Sequence, residues 1–199
     1  MRSLLIVLSL TIISPMLLAQ DIQLPAPQRT GGKAIFDTLA ERQTDREITD
    51  ADIDRQTLSD ILWAAYGFNR DDKRTIPTSR NKQDIDLYVF LKEGVYQYDA
   101  KTNKLILKTA GDNRKGAGSQ PFVHIAPINL LYVLDKSKND DVGGPIACGC
   151  AIQSVYLVCA SKDLACTVRT TIEKEAAKTL CKLTEKQVPT VGQTIGKKK

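Results

Sequence analysis

Apolar residues recur at helical spacing in two segments of the first third of the chain. The first segment runs from Ala34 to Glu41, and its apolar side chains are predicted to face inward: Ile35, Phe36 and Leu39. The second would be capped by Asp50 or Asp52 and ended by Gly67. Its apolar residues lie close to helical spacing: Ile53, Leu58, Ile61, Leu62 and Ala65. We therefore predict two helices before residue 68.

The middle of the chain changes to the short apolar runs that are typical of strands. Ile85 to Leu91 and Val95 to Tyr98 are separated by the turn Lys92-Glu93-Gly94, which predicts a β-hairpin. A third strand is expected over Leu105 to Leu107. The run from Ile128 to Asp135 is apolar almost throughout, which indicates a strand covered on both faces.

The last third begins with a segment that is apolar nearly all round, from Pro145 to Cys159, and we expect it to be the central helix. A short extended piece at Thr167 to Thr170, a helix over Ile172 to Leu183 and a strand over Val188 to Ile195 would follow. Helices and strands are interleaved, but three strands are consecutive. This order favours an α+β layered domain over a doubly wound sheet.

The N-terminus has the pattern of a secretory signal peptide. Residues 1–19 contain one positive charge, Arg2, then an uncharged apolar run from Leu4 to Leu18 and the small residue Ala19. The alternative is a retained membrane anchor, but the run contains Pro15 and is shorter than the roughly 20 residues that span a bilayer. We expect an exported bacterial protein, periplasmic or secreted, in which an extended lead-in over residues 20–33 precedes one domain over residues 34–199.

Charge and cysteine content give no sign of a nucleic-acid-binding protein or a metal site. The chain has 28 basic and 23 acidic residues, a mild excess without a strong basic cluster apart from the terminal lysines. Five cysteines are an odd number, so they cannot all form disulfide bonds within the chain. A metal site at Cys148 and Cys150 would need further ligands at matching spacing, and the one histidine of the chain is His124. We interpret the cysteines as buried thiols, with a metal or redox pair as the alternative.

Hydrolase and nucleotide motifs are missing from the sequence. There is no GKS or GKT phosphate loop, no HExxH and no GxSxG. The stretch from Gly116 to Ser119 lacks the third glycine of a dinucleotide loop, so we interpret it as a turn. Trp63 and Tyr66 are interpreted as core residues rather than as groups that stack on a ligand.

Polar, basic loops at element junctions are the remaining candidates for chemistry. They span residues 41–47, 73–83, 168–170 and 196–199. Guanidinium groups and hydroxyls suit a phosphate group, since the first give forked, charged hydrogen bonds and the second fill the other acceptors. Each loop by itself is also compatible with a solvated surface.

The order of these loops resembles the nitroreductase-like flavoprotein superfamily, in particular a small exported subgroup of SagB-type proteins from Bacteroidales. The resemblance covers nearly all of residues 20–199. It rests on seven segments in order: R-x-[ST]-x-[RK] at Arg42 to Arg46, LSDLLWAA-type at Leu58 to Ala65 with Asn69-Arg70, P-[ST]-[SA]-x-N-x-Q at Pro77 to Gln83, GVY-YD at Gly94 to Asp99, Ala126-Pro127 before a core strand, Q-x-VYL at Gln153 to Leu157, and a final strand ending in glycine before lysines.

The resemblance implies a dimeric α+β sandwich, with a mixed, mostly antiparallel sheet and FMN at the subunit interface. Arg42 and Thr44 would hold the phosphate with a tail lysine such as Lys198, and Arg46 would face the pyrimidine edge of the flavin. Gln43 and Arg169 are further candidates of the same loops. The partner subunit would contribute Pro77, Thr78, Ser79 and Asn81, and the backbone N–H of Thr170 would approach flavin N5.

The function implied is hydride transfer from a reduced donor through FMN to a nitroaromatic, quinone or similar acceptor. Three departures from the family pattern are present: Glu47-Ile48 in place of an aromatic residue, Ser154 in place of asparagine, and Thr170 in place of a glycine that lets the backbone approach the ring. Ser154 and Thr170 favour an alternative, a non-catalytic exported flavin-binding protein.

Overall fold

A computed structural model of the chain describes residues 20–139 and 142–199, so the predicted signal peptide lies outside the described residues. Five α-helices are present in this part of the chain: α1 Ile35–Glu41, α2 Arg55–Tyr66, α3 Pro121–Ile125, α4 Gly143–Ser161 and α5 Lys174–Cys181. The strands are β1 Ile22–Gln23, β2 Phe68–Arg70, β3 Lys73–Arg74, β4 Ile85–Phe90, β5 Gly94–Asp99, β6 Lys104–Ala110, β7 Ile128–Asp135, β8 Leu164–Arg169 and β9 Gln187–Lys197.

Seven strands form one sheet in the order β1-β6-β5-β4-β7-β9-β8, and β2 and β3 form a separate ribbon. Every pairing among the described strands is antiparallel. The predicted α+β class and the predominantly antiparallel sheet are therefore confirmed. Strand β8 lies at the edge of the sheet although β9 is the last strand in sequence, because β9 lies between β7 and β8.

Both faces of the sheet are covered, as the sequence of β7 predicts. Leu130 and Tyr132 belong to the larger core, which α2 and α4 cover, whereas Leu131 and Val133 belong to a second core beneath α3 and α5. Alternate residues of a strand point to opposite faces, so a continuous apolar run serves two cores at once.

Helix α4 is the predicted central helix, two residues longer at each end than the sequence pattern indicated. Its buried residues include Ala147, Ala151 and Val155, which pack on α2 and the sheet. Among the described residues α4 is the one helix long and apolar enough to cross a membrane by length and composition, a test that the core helix of a soluble protein also meets.

Helix α1 has the expected position, but the prediction of its inward residues is wrong. Ile35, Phe36 and Leu39 are exposed, with 80% of Phe36 accessible, and the buried residue is Thr38. The Thr38 hydroxyl donates to the carbonyl oxygen of Ala34 at 2.9 Å, so its polar group is satisfied inside the helix. An apolar stripe shows which residues share a face but not whether this chain covers that face.

The N-cap of α2 is also corrected by the structure. Asp54, rather than Asp50 or Asp52, accepts a hydrogen bond from the backbone N–H of Thr57 at 2.8 Å. The helix ends at Gly67, as predicted, and a Cβ there would lie 2.3 Å from the Trp63 side chain.

The lead-in is extended, and it is joined to the rest of the fold. Its strand β1 pairs with β6, and Leu24 is buried in the larger core. The carboxylate of Asp60 on α2 accepts a 2.7 Å hydrogen bond from the backbone N–H of Gln28 and pairs with Lys162 at 2.9 Å. Asp60 therefore joins the lead-in, α2 and the C-terminal end of α4.

Candidate functional site

The loop at Arg42 to Arg46 lies along the free edge of β8. Strand β8 is the last strand of the sheet, so the outer side of its backbone has no strand partner. The backbone N–H of Asp45 donates to the carbonyl oxygen of Cys166 at 2.9 Å, and Ile48 forms an isolated bridge with Lys198. Three predicted elements, the loop, β8 and the lysine tail, are thus brought together.

Tyr156 of α4 joins the loop to the strand. Its hydroxyl accepts a 2.8 Å hydrogen bond from the backbone N–H of Val168 and lies 3.2 Å from the hydroxyl of Thr44. The guanidinium of Arg42 stands over the Tyr156 ring at 5.4 Å, within the range of a cation–π contact. In the sequence, Tyr156 stands out only as part of the Q-x-VYL segment. A polar aromatic residue within an apolar helix was the signal that could have selected it.

The basic groups of this site differ in how far they are already engaged. Arg42 and Arg46 make no ion pair within the described residues, whereas the ammonium of Lys198 pairs with Asp163. That hydrogen bond lowers the pKa of the Asp163 carboxyl and raises the pKa of Lys198. A phosphate that recruits Lys198 therefore has to compete with a carboxylate. Arg46, Gln43 and Thr44 are exposed.

Arg169 and Thr170 follow one another but face different surroundings. The Arg169 guanidinium is buried and donates to neutral acceptors: Thr194 Oγ1, Asn129 Oδ1 and the carbonyl oxygens of Ala117 and Thr171. Burial lowers its pKa to about 10. This side chain holds the end of β8 to its surroundings rather than presenting a charge at the surface.

Thr170 is exposed immediately after β8. It lies in a bend, one residue beyond the last strand residue, Arg169. N–H direction alternates along a strand, and the Val168 N–H points to Tyr156 and away from β9. This alternation ends with β8, before Thr170.

The loop from Pro77 to Asn81 is ordered by bonds of its own. Arg80 and Asn81 have φ values of 49° and 58°, a left-handed conformation that Asn tolerates and Arg rarely adopts. The Asn81 side chain donates to the Asp72 carboxylate at 3.0 Å, and the Gln83 N–H donates to the Thr78 hydroxyl at 3.2 Å. Pro77 is exposed and Ser79 is half-buried. These hydrogen bonds therefore hold the loop in a defined conformation.

The two predicted halves of the site are at different ends of α4. Lys82, directly after the Pro77 loop, donates to Asn139, which precedes α4, at 2.7 Å. Tyr156, which contacts the Arg42 loop, lies thirteen residues after Gly143 in α4. At 1.5 Å per residue this is about 20 Å along the helix axis. Within one chain the structure does not bring Pro77 to Asn81 beside Arg42 and Thr44.

The cysteines are free, and four of the five are buried, as interpreted from the sequence. Burial raises the pKa of the Cys148 and Cys181 thiols to about 12 and the pKa of Cys159 well above its ordinary value. Cys150 is the partly exposed one. No group of three or more His, Cys, Asp or Glu that could hold a metal ion occurs in residues 20–139 and 142–199. His124 is half-buried, and its Nε2 lies 3.0 Å from the Gly118 carbonyl oxygen.

Two clefts flank Trp63. The guanidinium carbon of Arg29 lies 5.8 Å from the centroid of the Trp63 ring. Trp63 is half-buried, so it contributes to the surface as well as to the core, whereas Tyr66 is buried as predicted. Arg74 lies between the rings of Tyr66 and Phe68, 4.1 Å from each centroid. Neither cleft contains any residue of the Arg42 loop.

The donor set along β8 fits a flavin phosphate. The Arg42 guanidinium, which has no carboxylate partner among the described residues, the Thr44 hydroxyl and the nearby Lys198 ammonium are the kinds of group that bind phosphate oxygens in proteins. The arrangement therefore suits an anionic group beside the edge of β8.

Comparisons with known proteins agree on one family. The family model described as the nitroreductase family matches residues 39–197. A protein of Ralstonia eutropha assigned to the nitroreductases has a crystal structure with a TM-score of 0.84, 34% identity, and coverage of 92% of this chain and 91% of its own.

Two further relatives are more distant. MJ1384 of Methanocaldococcus jannaschii, which is assigned by name to the nitroreductases, is 27% identical over 163 residues, 72% of this chain and 80% of its own. A Desulfovibrio desulfuricans protein solved in complex with FMN shares the fold at a TM-score of 0.60 and 17% identity, over 83% of this chain and 87% of its own. This chain belongs to the nitroreductase family.

Proposed function

We propose that this protein is an FMN-dependent oxidoreductase that works as a homodimer, with FMN between its subunits. The observation that carries the proposal is the cluster of Arg42, Thr44 and Tyr156 on the free edge of β8. The Arg42 guanidinium lacks an ion-pair partner among the described residues and lies over the ring of Tyr156, whose hydroxyl is 3.2 Å from that of Thr44. Membership of the family and the FMN complex of a structural neighbour support the choice of cofactor.

The phosphate end is assigned to Arg42 and Thr44, with Lys198 as a third group and Gln43 beside them. A guanidinium supplies two parallel charged hydrogen bonds, and the hydroxyl of Thr44 adds a directed donor. Stacking on Tyr156 limits the positions that the Arg42 side chain can take before a ligand arrives. A preordered cation loses less conformational entropy on binding than a free one.

The ring end is assigned to Arg46 and to the backbone N–H of Thr170. FMN, when bound, supplies the hydride chemistry, accepting from a reduced donor and passing on to a nitroaromatic, quinone or similar acceptor. Arg46 stabilises the negative charge that develops at the pyrimidine edge during reduction. The Thr170 N–H orients the ring by a hydrogen bond. The chain itself provides position and electrostatics, and no acid, base or nucleophile is assigned.

A second copy of the chain is the proposed cover for exposed apolar side chains on two helices. Phe36 on α1 is 80% exposed, and Ile146 on α4 is 62% exposed. Helix α4 is apolar nearly all round, which is characteristic of a helix buried on every side. Pairing through α1 and α4 would bring the Pro77 to Asn81 loop of one subunit toward the Arg42 loop of the other, which a single chain leaves about 20 Å apart along α4.

The principal experiment is flavin binding by residues 20–199 with a matched charge control. The unaltered protein is expected to bind FMN in solution and to melt at a higher temperature when it is present. Arg42→Ala and Arg46→Ala should each weaken FMN binding tenfold or more. Arg70→Ala, which removes an exposed arginine from β2, should leave binding unchanged. Absence of FMN binding by the unaltered protein would reject the proposal.

A second candidate, a non-catalytic flavin-binding protein, is favoured by the side chain of Thr170. A Cβ at this position crowds the approach of a flavin ring to the backbone. Anaerobic mixing of the FMN-loaded protein with NADH, NADPH or dithionite, followed by an acceptor, separates the two. Flavin that cannot be reduced and reoxidised by any of these would favour the binding protein.

We also propose that the protein is exported after removal of residues 1–19. The apolar run after Arg2 and the small residue Ala19 support this. Expression of the full chain with a C-terminal tag, followed by fractionation and N-terminal sequencing, should place a shortened protein outside the cytoplasm. Full-length protein retained in the cytoplasm or the membrane would contradict the proposal.

A further inference from the structure

The hydrogen bonds around Tyr156 have a direction that can be worked out from its neighbours. A tyrosine hydroxyl carries one hydrogen and can accept through oxygen. The backbone N–H of Val168 can only donate, so the Tyr156 oxygen is the acceptor in that 2.8 Å bond. The Tyr156 hydrogen then has one acceptor among the described residues, the Thr44 hydroxyl oxygen at 3.2 Å.

This direction decides what the Thr44 hydroxyl does. When its oxygen accepts from Tyr156, its own hydrogen points away from Tyr156. Thr44 is exposed, and the Arg42 guanidinium lies over the ring of the same Tyr156. Thr44 is thereby oriented as a donor toward an anion beside Arg42.

The same side chain also positions the cation. Tyr156 is 5% exposed, so the core holds its ring, and the Arg42 guanidinium lies 5.4 Å from the ring centroid. One buried residue, Tyr156, therefore positions both the Arg42 guanidinium and the Thr44 hydroxyl. Tyr156→Phe separates these two roles, because it removes the hydroxyl and keeps the ring.

We propose that Tyr156 is a positioning residue that makes the site select the phosphorylated flavin over riboflavin, by holding the Thr44 hydroxyl as a phosphate donor. The proposal rests on the proposed FMN site and explains why that site would prefer FMN to riboflavin. Riboflavin has the same ring and ribityl chain as FMN but no phosphate, so it lacks the group that Thr44 would meet.

The test compares FMN and riboflavin on the same variants, with flavin fluorescence quenching as the readout. Tyr156→Phe should weaken FMN binding about tenfold and leave riboflavin binding unchanged, so that the ratio of the two dissociation constants falls. Thr44→Val should lower the ratio similarly, and Thr44→Ser should preserve it. Tyr98→Phe, which removes a hydroxyl that donates to Asn103 outside this site, is the control.

A double-mutant cycle separates positioning from general loosening of the structure. If Tyr156 acts through Thr44, Tyr156→Phe should have no further effect on the ratio in a Thr44→Val protein. Equal losses for FMN and riboflavin, or additive effects of the two substitutions, would overturn the proposal. Failure of the unaltered protein to bind FMN would instead reject the proposed function, and this inference with it.

Discussion

The backbone N–H of Asp45 donates a 2.9 Å hydrogen bond to the carbonyl oxygen of Cys166, at the free edge of β8. An unpaired edge strand exposes backbone groups that can bind another segment of chain. Here a loop from the N-terminal half of the chain uses one of those groups, and Tyr156 uses a second through the N–H of Val168. The edge that ends the sheet therefore becomes the base on which the candidate phosphate site is assembled.

Removal of the α2 cap should reduce stability. Asp54→Ala is expected to lower the free energy of unfolding by about 1 kcal/mol, because the Thr57 N–H loses its acceptor. Urea unfolding measures the difference. Asp50→Ala and Asp52→Ala serve as controls and should have little effect, and an equal loss at Asp52 would show that the cap had been wrongly assigned.

The same carboxylate should make stability depend on pH in the acid range. The hydrogen bond from Thr57 lowers the pKa of Asp54 below 3.8, so the folded protein binds its proton less readily than the unfolded chain. The contribution of the Asp54 cap to the free energy of unfolding is complete above the pKa that Asp54 has in the unfolded chain. It is lost as the pH falls through the lower pKa that Asp54 has in the folded protein. Unfolding curves at pH 7 and pH 3 should therefore differ less for Asp54→Ala than for the unaltered protein.

A charge on the exposed face of α4 should separate the proposed dimer. Ile146→Asp is expected to give a monomer and to abolish FMN binding, although every residue assigned to the cofactor remains. Sedimentation velocity and flavin titration measure the two effects. Ile125→Asp changes an exposed isoleucine of α3, on the opposite side of the sheet, and should alter neither. A monomeric variant that retained FMN would contradict the shared site.

A methyl group at Gly192 should disturb the buried guanidinium of Arg169. A Cβ there would lie 2.8 Å from the Arg169 Cζ, and the guanidinium is held by several hydrogen bonds and cannot easily move. We expect Gly192→Ala to lower the free energy of unfolding by about 1 to 3 kcal/mol. Gly149→Ala on α4, where nothing lies within 4 Å, should not destabilise the chain. Thermal unfolding of both variants provides the comparison.

Thiol reactivity should distinguish Cys150 from the other four cysteines. The buried thiols are protected by lack of access and, at Cys148 and Cys181, by a pKa raised to about 12, whereas the thiolate is the reactive form. A chromogenic disulfide reagent at pH 8 should modify about one thiol quickly in the folded, reduced Ile146→Asp protein, in which no second copy covers this face of α4, and five after denaturation. Cys150→Ser should remove the fast phase. Rapid modification of several thiols would mean that the interior opens readily.

Removal of the side chain of Thr170 should improve the proposed flavin site. Thr170→Gly is expected to strengthen FMN binding several-fold and to speed flavin reduction by NADH, because the backbone could approach the ring without a Cβ. Thr171→Gly, at the next exposed position, controls for added chain flexibility. Similar gains in both variants would point to flexibility rather than to contact with the ring.

Much of the fold can be predicted from local patterns in the sequence. The strand from Ile128 to Asp135, the helix end at Gly67 and the hairpin turn before Gly94 all match the structure. These features depend on side-chain periodicity or on the conformational preference of one residue, which act over a few positions. The family resemblance was likewise readable, because its motifs occur in a set order along the chain.

Other features depend on what each segment meets in space. The apolar residues of α1 have the spacing of a core helix, yet Phe36 is exposed, because spacing does not reveal whether a partner covers a face. Asp54 caps α2 in place of two nearby aspartates, because the chain begins its helical turn there. The role of Arg169 was also hidden, since its acceptors come from distant parts of the sequence.

The sequence by itself determined the α+β class, the main helices and strands and the polar loops that could serve a phosphate. Only the tertiary structure decided that Arg42 and Thr44 meet at Tyr156, that β8 offers them its free edge, and that the Pro77 loop lies toward the other end of α4. Periodicity arises from interactions between near neighbours in the chain. A binding site depends on the distances between segments that only the packing of the sheet and α4 brings together.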